Sequence, residues 1–389
     1  MTYWHESPEI PKDSQYWLDV CWSLGISIGL HCDPSGSQMS LRLKWLWKRM
    51  WWCLYTRSRL LALNLRRPIR FKKSTRDHET EVPMVELDEF DIHYYPSDTL
   101  TALSDCLFLR DVEIQRHSAL NFIKKSRLSL LISEVVMFRD YMHNQHQQQL
   151  TFSDFTSAPS PSSAVLEDCK EYTDSAWKGQ SQKMLEVLQN LSTTIHTTAY
   201  RPEEPSSGTS SQQKDKLRYL QCTWNQLELL TSISTIHRQL IMTSSAPKGS
   251  AAESTSSAAQ NTQVVIEIAN IIQDLHQRNL ILYLPGTAIA LLVPVLINLL
   301  SNMRSASCPT RTAAFQKFYQ CMRVLDTLGE TYFFAQTVRG FFEDALGYCG
   351  GERSISGAAA IPACVRDLFT QDEVESLIIV SEGDMTRTD

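Results

Sequence analysis

The stretch Lys44–Lys73, KWLWKRMWWCLYTRSRLLALNLRRPIRFKK, holds four tryptophans and a dense set of Lys and Arg, and it contains no Asp or Glu. Such a segment has three fates open to it: a nucleic-acid groove, a membrane-surface helix, or a core helix that carries its own charges. On a helix of 3.6 residues per turn, Leu43, Leu46, Trp47, Met50, Trp51, Leu54 and Leu61 share one face, which is predicted to pack into a core. The opposite arc mixes Lys44, Lys48, Arg49 and Arg59 with Trp45, Trp52 and Tyr55, so a helix covered on two sides is expected. Lys and Arg stems can lie along indole faces while their charged heads find water or carboxylates. Burying a Trp or Leu is worth roughly 1.5–3 kcal/mol or more, and a DNA-facing surface would forfeit that. Apolar residues on both arcs also argue against a one-sided membrane helix. The core helix is the reading adopted. It runs over Leu41–Leu63, with Asn64 as the left-handed residue that ends it and Pro68 preventing resumption.

The composition then inverts. Eleven acidic residues lie between Asp77 and Glu113, directly after the basic block. Two surfaces that are solvated or paired with each other are the expectation. The run RRPIRFKK, Arg66–Lys73, reads as a loop whose arginines pair with that acidic block, ahead of a nuclear-import or phosphate-binding patch.

Helical periodicity dominates the rest, and hairpin signals such as Asn-Gly or Asp-Gly are absent. An opening helix is predicted from Asp13 or Ser14 to Gly29, followed by helices over 100–142, 164–198, 214–242, 262–284, 287–301, 312–328 and 330–346. Ser-, Pro- and Gly-rich stretches at 153–163, 201–213 and 244–257 are expected to be mobile loops. The tail 350–389 is weakly patterned, with one short helix expected near 372–380. The fold class is therefore all-α: a large irregular helical array with long disordered Ser/Pro-rich insertions. The apolar run Leu280–Leu300 is interrupted by Pro285, Gly286 and Pro294, and is read as two short buried helices rather than a membrane span.

A net charge of −6 excludes a chain that binds nucleic acid by bulk electrostatics. The ten cysteines are scattered, with no zinc-ligand or redox-motif spacing, which together with the absence of a secretory signal fits a reducing compartment. No phosphate loop, nucleophile elbow or zinc-protease motif occurs, so no catalytic residue and no cofactor site are assigned. His143 and His146 read as a solvated helix end, and His31, just past a helix terminus, reads as a partner of the last carbonyls.

The segments LDVCWSLGISIGLHCDP (Leu18–Pro34) and KRMWWCLYTRSRLLALNLRRPIR (Lys48–Arg70) together resemble the middle homology region of fungal zinc-cluster transcription factors, most nearly the cutinase-transcription-factor type. The matching positions are Gly29, Leu30, His31, Arg49, Trp51, Trp52, Tyr55, Arg57, Arg59, Arg66, Arg67 and Pro68. HETEVPMVELDEFDI resembles the acidic stretch that follows in the family, and the likeness covers residues 16–92. Two positions depart from the pattern: Ser58 stands where Asp is usual, removing a carboxylate that could pair with an Arg, and Asn64 stands where Gly is usual.

The resemblance implies a transcriptional regulator in the nucleus. Residues 1–152 would be the N-terminal part of its regulatory domain, and 164–349 a helical continuation. It implies that the twelve motif residues are mainly structural, and that partners are co-regulators or a small effector, with homodimerisation in keeping. The family's DNA-reading head needs six cysteines holding two zinc ions, and none of that pattern is present. Zinc and DNA contact are thus expected only through a module outside this chain or through a partner. The competing reading is a helical scaffold with no nucleic-acid role.

Overall fold

The computed structural model describes residues 13–69, 82–93, 106–153, 179–192, 209–244, 251–303 and 308–349. Among them are ten α-helices and no strand, so the chain is all-α: α1 (Ser14–Ser27), α2 (Leu41–Asn64), α3 (Leu107–Arg110), α4 (Val112–Ser153), α5 (179–192), α6 (Thr209–Ser244), α7 (Ala251–Gln277), α8 (Thr287–Met303), α9 (Cys308–Gly329) and α10 (Phe333–Cys349). Two compact units are formed. One comprises Leu18–Leu60 and Pro68–Asn261; the other comprises Met1–Trp17, Leu61–Arg67 and Thr262–Asp389.

Local chemistry sets several helix ends where the sequence places them. Asp13 opens α1, its Oδ1 accepting from the Tyr16 amide at 2.7 Å. Gly29, at φ +76°, closes it. The Gly29 amide donates to the Ile26 carbonyl at 3.0 Å and the Leu30 amide to Gly25 at 2.8 Å. This paired pattern favours a residue without a Cβ. His31 therefore does not cap α1 as expected, since backbone amides already take those carbonyls.

Other ends differ from expectation. The left-handed residue after α2 is Arg66 (φ 54°), not Asn64, which stays helical and buried. The helix expected over 100–142 is interrupted at Asp111, whose Oδ1 accepts from the Ile114 amide at 3.0 Å and so starts α4. That helix then passes His143 without a break and ends at Ser153. Helix α7 begins at Ala251, inside the segment expected to be a loop, because the alanines of SAAESTSSAAQ support a helix that the serines concealed. It stops at Gln277 rather than Leu284, with Asn279 left-handed (φ 57°) and the Leu280 amide donating to Leu275 at 2.9 Å. Helix α6 likewise starts at Thr209, within the expected 201–213 loop. The remainder of those loops, the 153–163 loop beyond Ser153, most of the 164–198 helix, and the 350–389 tail with its short helix lie outside the described residues.

In the unit containing Thr262–Asp389, α8 is apolar on all sides and almost wholly buried. A helix of that kind must be surrounded by others, and α9 and α10 pack on it and on each other. Phe318 and Phe342 meet edge to face at 6.0 Å. Tyr332 lies against Gly286, where a Cβ would come within 3.2 Å of the ring, and its hydroxyl donates to the Leu284 carbonyl at 3.0 Å. The apolar run Leu280–Leu300 is thus one 3-10 turn, Ile281–Tyr283, followed by α8, which contains Pro294, and no described helix is long and apolar enough to cross a membrane.

In the other unit, α6 buries His237 to 1% exposure, and neither ring nitrogen has a hydrogen-bond partner among the described residues. Burial pulls its pKa below the usual histidine value. The folded state resists a proton that the unfolded chain accepts, so stability is complete above about pH 6.5 and falls as the pH drops from there. His237→Phe is expected to flatten the fall in Tm between pH 7 and 5, measured by thermal melts across that range. His117 and His276, also lowered by burial, would carry the slope that remains. An unchanged slope would remove His237 from this role.

Candidate functional site

Helix α2 carries six of the twelve motif residues, and the face its periodicity suggests is buried only in part: Trp51 and Leu61 are buried, and Trp47 and Leu54 pack half-buried on the core. Leu43, Leu46 and Met50, expected in the core, are 40%, 43% and 44% exposed. Lys48, Trp52, Tyr55 and Arg59, from the opposite arc, are buried together with Trp51. From Trp51 to Leu63 only Cys53 and Leu54 are not fully buried, so this half of the helix is covered on both sides as expected.

Within the unit containing Leu18–Leu60, the motif aromatics form one nucleus. The rings of Trp22 and Trp51 lie 5.3 Å apart, Trp51 and Tyr55 6.2 Å, and Trp52 and Tyr55 5.4 Å. Leu30 packs into the same cluster, and His31 faces Trp51 at 6.4 Å. Gly25 permits the close approach of α1, because a Cβ there would meet Leu54 at 3.1 Å. The Trp47 indole N–H reaches the Gly29 carbonyl at 3.5 Å, a long contact that ties the α1 cap to α2.

The cations are seated on the rings. The Arg59 guanidinium lies 4.3 Å from the Tyr55 ring centre and 6.0 Å from Trp22, and its Nη1 donates to Ser58 Oγ at 3.3 Å. Where the family pattern has Asp, a neutral hydroxyl thus still holds the arginine. Arg49 sits over Phe90 at 5.5 Å and donates to the Glu89 carbonyl.

Residues 82–90 cross this nucleus as a strap. Val82 and Val85 are buried in it, Trp52 Nε1 donates to the Pro83 carbonyl at 2.9 Å, and Phe90 meets Phe122 of α4 at 5.8 Å. A turn over Leu87–Glu89 presents Glu89 to Lys48, and both side chains of that ion pair are nearly buried. Arg42 pairs with Asp91 at 2.8 Å on the surface. The acidic block thus supplies the counter-charges of α2, as the composition suggested. The sequence reading did not identify Trp22, Pro83, Glu89 and Phe122 as individual partners; the alternation of Val82, Val85, Phe90 with acids was the available signal for the strap.

Not every motif residue joins this nucleus. Arg66 and Arg67 belong to the unit containing Thr262–Asp389, where Arg67 Nη1 donates to Asp13 Oδ2 at 2.6 Å. One partner of this arginine is thus the residue that caps α1. Pro68 is exposed, Arg57 is 8% exposed, and Arg70–Lys73 lie outside the described residues.

Chemically, this arrangement holds its cations inward. A phosphate-binding helix presents Lys and Arg to water, whereas Lys48, Arg57 and Arg59 are at most 9% exposed. Among the described residues no three His, Cys, Asp or Glu side chains come together as a metal ion would require. Elsewhere, a shallow cleft of about 410 Å³ lies along α9 and α10. Arg339 within it is held by Asp326 and by Glu343 at 2.9 Å.

The family model of the fungal specific transcription factor domain matches residues 1–240. Cutinase transcription factor 1 beta of Fusarium vanettenii is 30% identical over 355 residues, covering 89% of this chain and 38% of that protein. Transcription factor cpaR of Aspergillus oryzae is 26% identical over 351 residues, covering 84% of this chain and 52% of that protein. A transcription factor of Fusarium pseudograminearum (strain CS3096) is 26% identical over 340 residues, covering 85% and 36%. The chain therefore spans between about a third and a half of the length of these relatives. No solved structure matches it significantly.

Proposed function

The chain belongs to the fungal specific transcription factor domain family, and from that membership we propose that it is the regulatory part of a nuclear transcriptional regulator. The observation that carries this reading is the motif nucleus. Its arginines and tryptophans are spent on holding α1, α2 and the 82–90 strap together, with Lys48, Arg57 and Arg59 turned away from solvent. A domain built that way regulates through its conformation and its partners rather than by gripping phosphates. The twelve motif residues are accordingly read as scaffold, and the domain as non-enzymatic. Zinc and DNA contact would belong to a module other than these residues. Co-regulators, a small effector or a second copy of the chain are the partners this role calls for.

A fusion of Met1–Asp389 to a heterologous DNA-binding domain tests it in a fungal reporter strain. The expected result is a several-fold change in reporter output, up or down, relative to the DNA-binding domain alone. The change should disappear with a nucleus variant such as Trp52→Ala. A fusion that accumulates normally and leaves the reporter unmoved would instead favour a helical scaffold without a nucleic-acid role.

A further inference from the structure

Helices α4 and α6 are far apart in sequence, yet they meet in a repeating order. Asp111 pairs with Lys214. Gln221 Nε2 donates to Ser118 Oγ at 3.3 Å, and Asn225 Nδ2 to Asn121 Oδ1 at 2.7 Å. Lys125 Nζ lies 3.0 Å from Glu228 Oε1 and 5.8 Å from the Trp224 ring centre. Every step pairs residues 103 or 104 apart, so the two helices run parallel in a single alignment. From Ser118 onward the contacts recur at intervals of three and four residues, the spacing of a coiled-coil seam. Such seams are ordinarily apolar; this one is polar at three successive layers. Glu228 is fully buried, and Ser126, Ser129 and Ser232 are buried beside it.

We propose that the α4–α6 seam is a register-specifying polar zipper, in which the Asn121–Asn225 and Lys125–Glu228 layers hold the two helices to one alignment. Apolar seams tolerate slippage because one Leu layer resembles the next, whereas a polar layer is satisfied in only one register. A one-turn slip would set Glu228 opposite Asn121 or Ser129, leaving Lys125 and a buried carboxylate without each other. Burial already pushes the Glu228 pKa up, against the pull of Lys125. The alignment matters beyond the pair. Ser129 of α4 accepts from Thr56 of α2 at 3.3 Å, and Phe122 meets Phe90 of the strap. Fixing α4 against α6 thus fixes where the motif nucleus, seated on α4, lies along α6.

Two measurements on the full chain test this. Lys125→Glu and Glu228→Lys should each lower Tm by about 10 °C, while the double swap recovers more than half of the loss. A swap that recovers nothing would overturn the pairing. For register, Ser118→Cys is combined with Gln221→Cys or, one turn away, with Leu217→Cys, on a Cys222→Ser background, and cross-links are mapped by peptide mass. The native seam should link 118 to 221 and not to 217. In the apolar-seam variant N121L/K125L/N225L/E228L, expected to stay folded, both links should form. A single 118–221 link in that variant would mean that the polar layers do not set the register.

Discussion

Trp52→Ala is expected to destabilise the chain by about 3–5 kcal/mol, the range for emptying a large buried aromatic site. Trp52 is 2% exposed, packs on Tyr55, and gives its indole N–H to the Pro83 carbonyl. Its removal opens a cavity at the centre of the nucleus and strands a carbonyl of the strap. Against total stabilities of about 5–15 kcal/mol, much of the folded population at growth temperature would be lost. Urea denaturation measures this directly. Trp52→Phe, which keeps a ring and loses the hydrogen bond, should fall between the two proteins. Leu46→Ala serves as the contrast: on the same helix and 43% exposed, it should cost less than about 0.5 kcal/mol. Equal losses at Trp52 and Leu46 would reverse the assignment of the two faces of α2.

The second large effect is expected at Lys48 and Glu89, whose side chains are 11% and 12% exposed. Glu89→Ala leaves a nearly buried ammonium without its counter-charge, a change that costs roughly 3–5 kcal/mol. Lys48→Met with Glu89→Leu should cost less than Glu89→Ala alone, because no charge is then stranded. The pair should also be insensitive to added salt, whereas Arg42 and Asp91, 80% and 49% exposed, should contribute about 0.2–1 kcal/mol and weaken as salt rises. Denaturant melts of the single and double variants at two ionic strengths check both statements. If the double variant is as damaged as Glu89→Ala, the strap is held by something other than this charge pair.

These predictions depend on side-chain placement that the sequence conveyed unevenly. Features decided within a few residues were legible: Asp13 opening α1, Gly29 closing it, and the proline-broken segment before α8. The inward face of α2 was legible only in part: Trp47, Trp51, Leu54 and Leu61 face the core as its periodicity suggests. Periodicity offered two arcs, and Trp52, Tyr55 and Arg59 of the second are buried as well, because aromatic rings accept arginine against their faces. Lys48 therefore travelled into the interior with its acidic partner Glu89 from the strap. Leu43, Leu46 and Met50 were left outside. The start of α7 was hidden by serines among its alanines, and its end by an asparagine doing the work of glycine. The candidate site itself was half legible. The motif residues were named by resemblance, but Trp22, Glu89 and Phe122 meet them only through tertiary packing. The α4–α6 register lay furthest from view, since nothing local distinguishes Asn121 from any other polar helix residue until Asn225 stands beside it.

The parallel course of α4 and α6 also has a consequence in time. A ribosome must deliver more than a hundred residues after Lys125 before Glu228 exists to receive it, which at about 5–20 residues per second is several seconds or more. Throughout that interval the side of α4 that meets α6 lacks the helix that will cover it. Contacts of such long sequence separation close slowly, because loop entropy must be lost before they form. Birth of this unit is therefore a waiting period in which α4 has only the earlier α2 and the 82–90 strap to pack against.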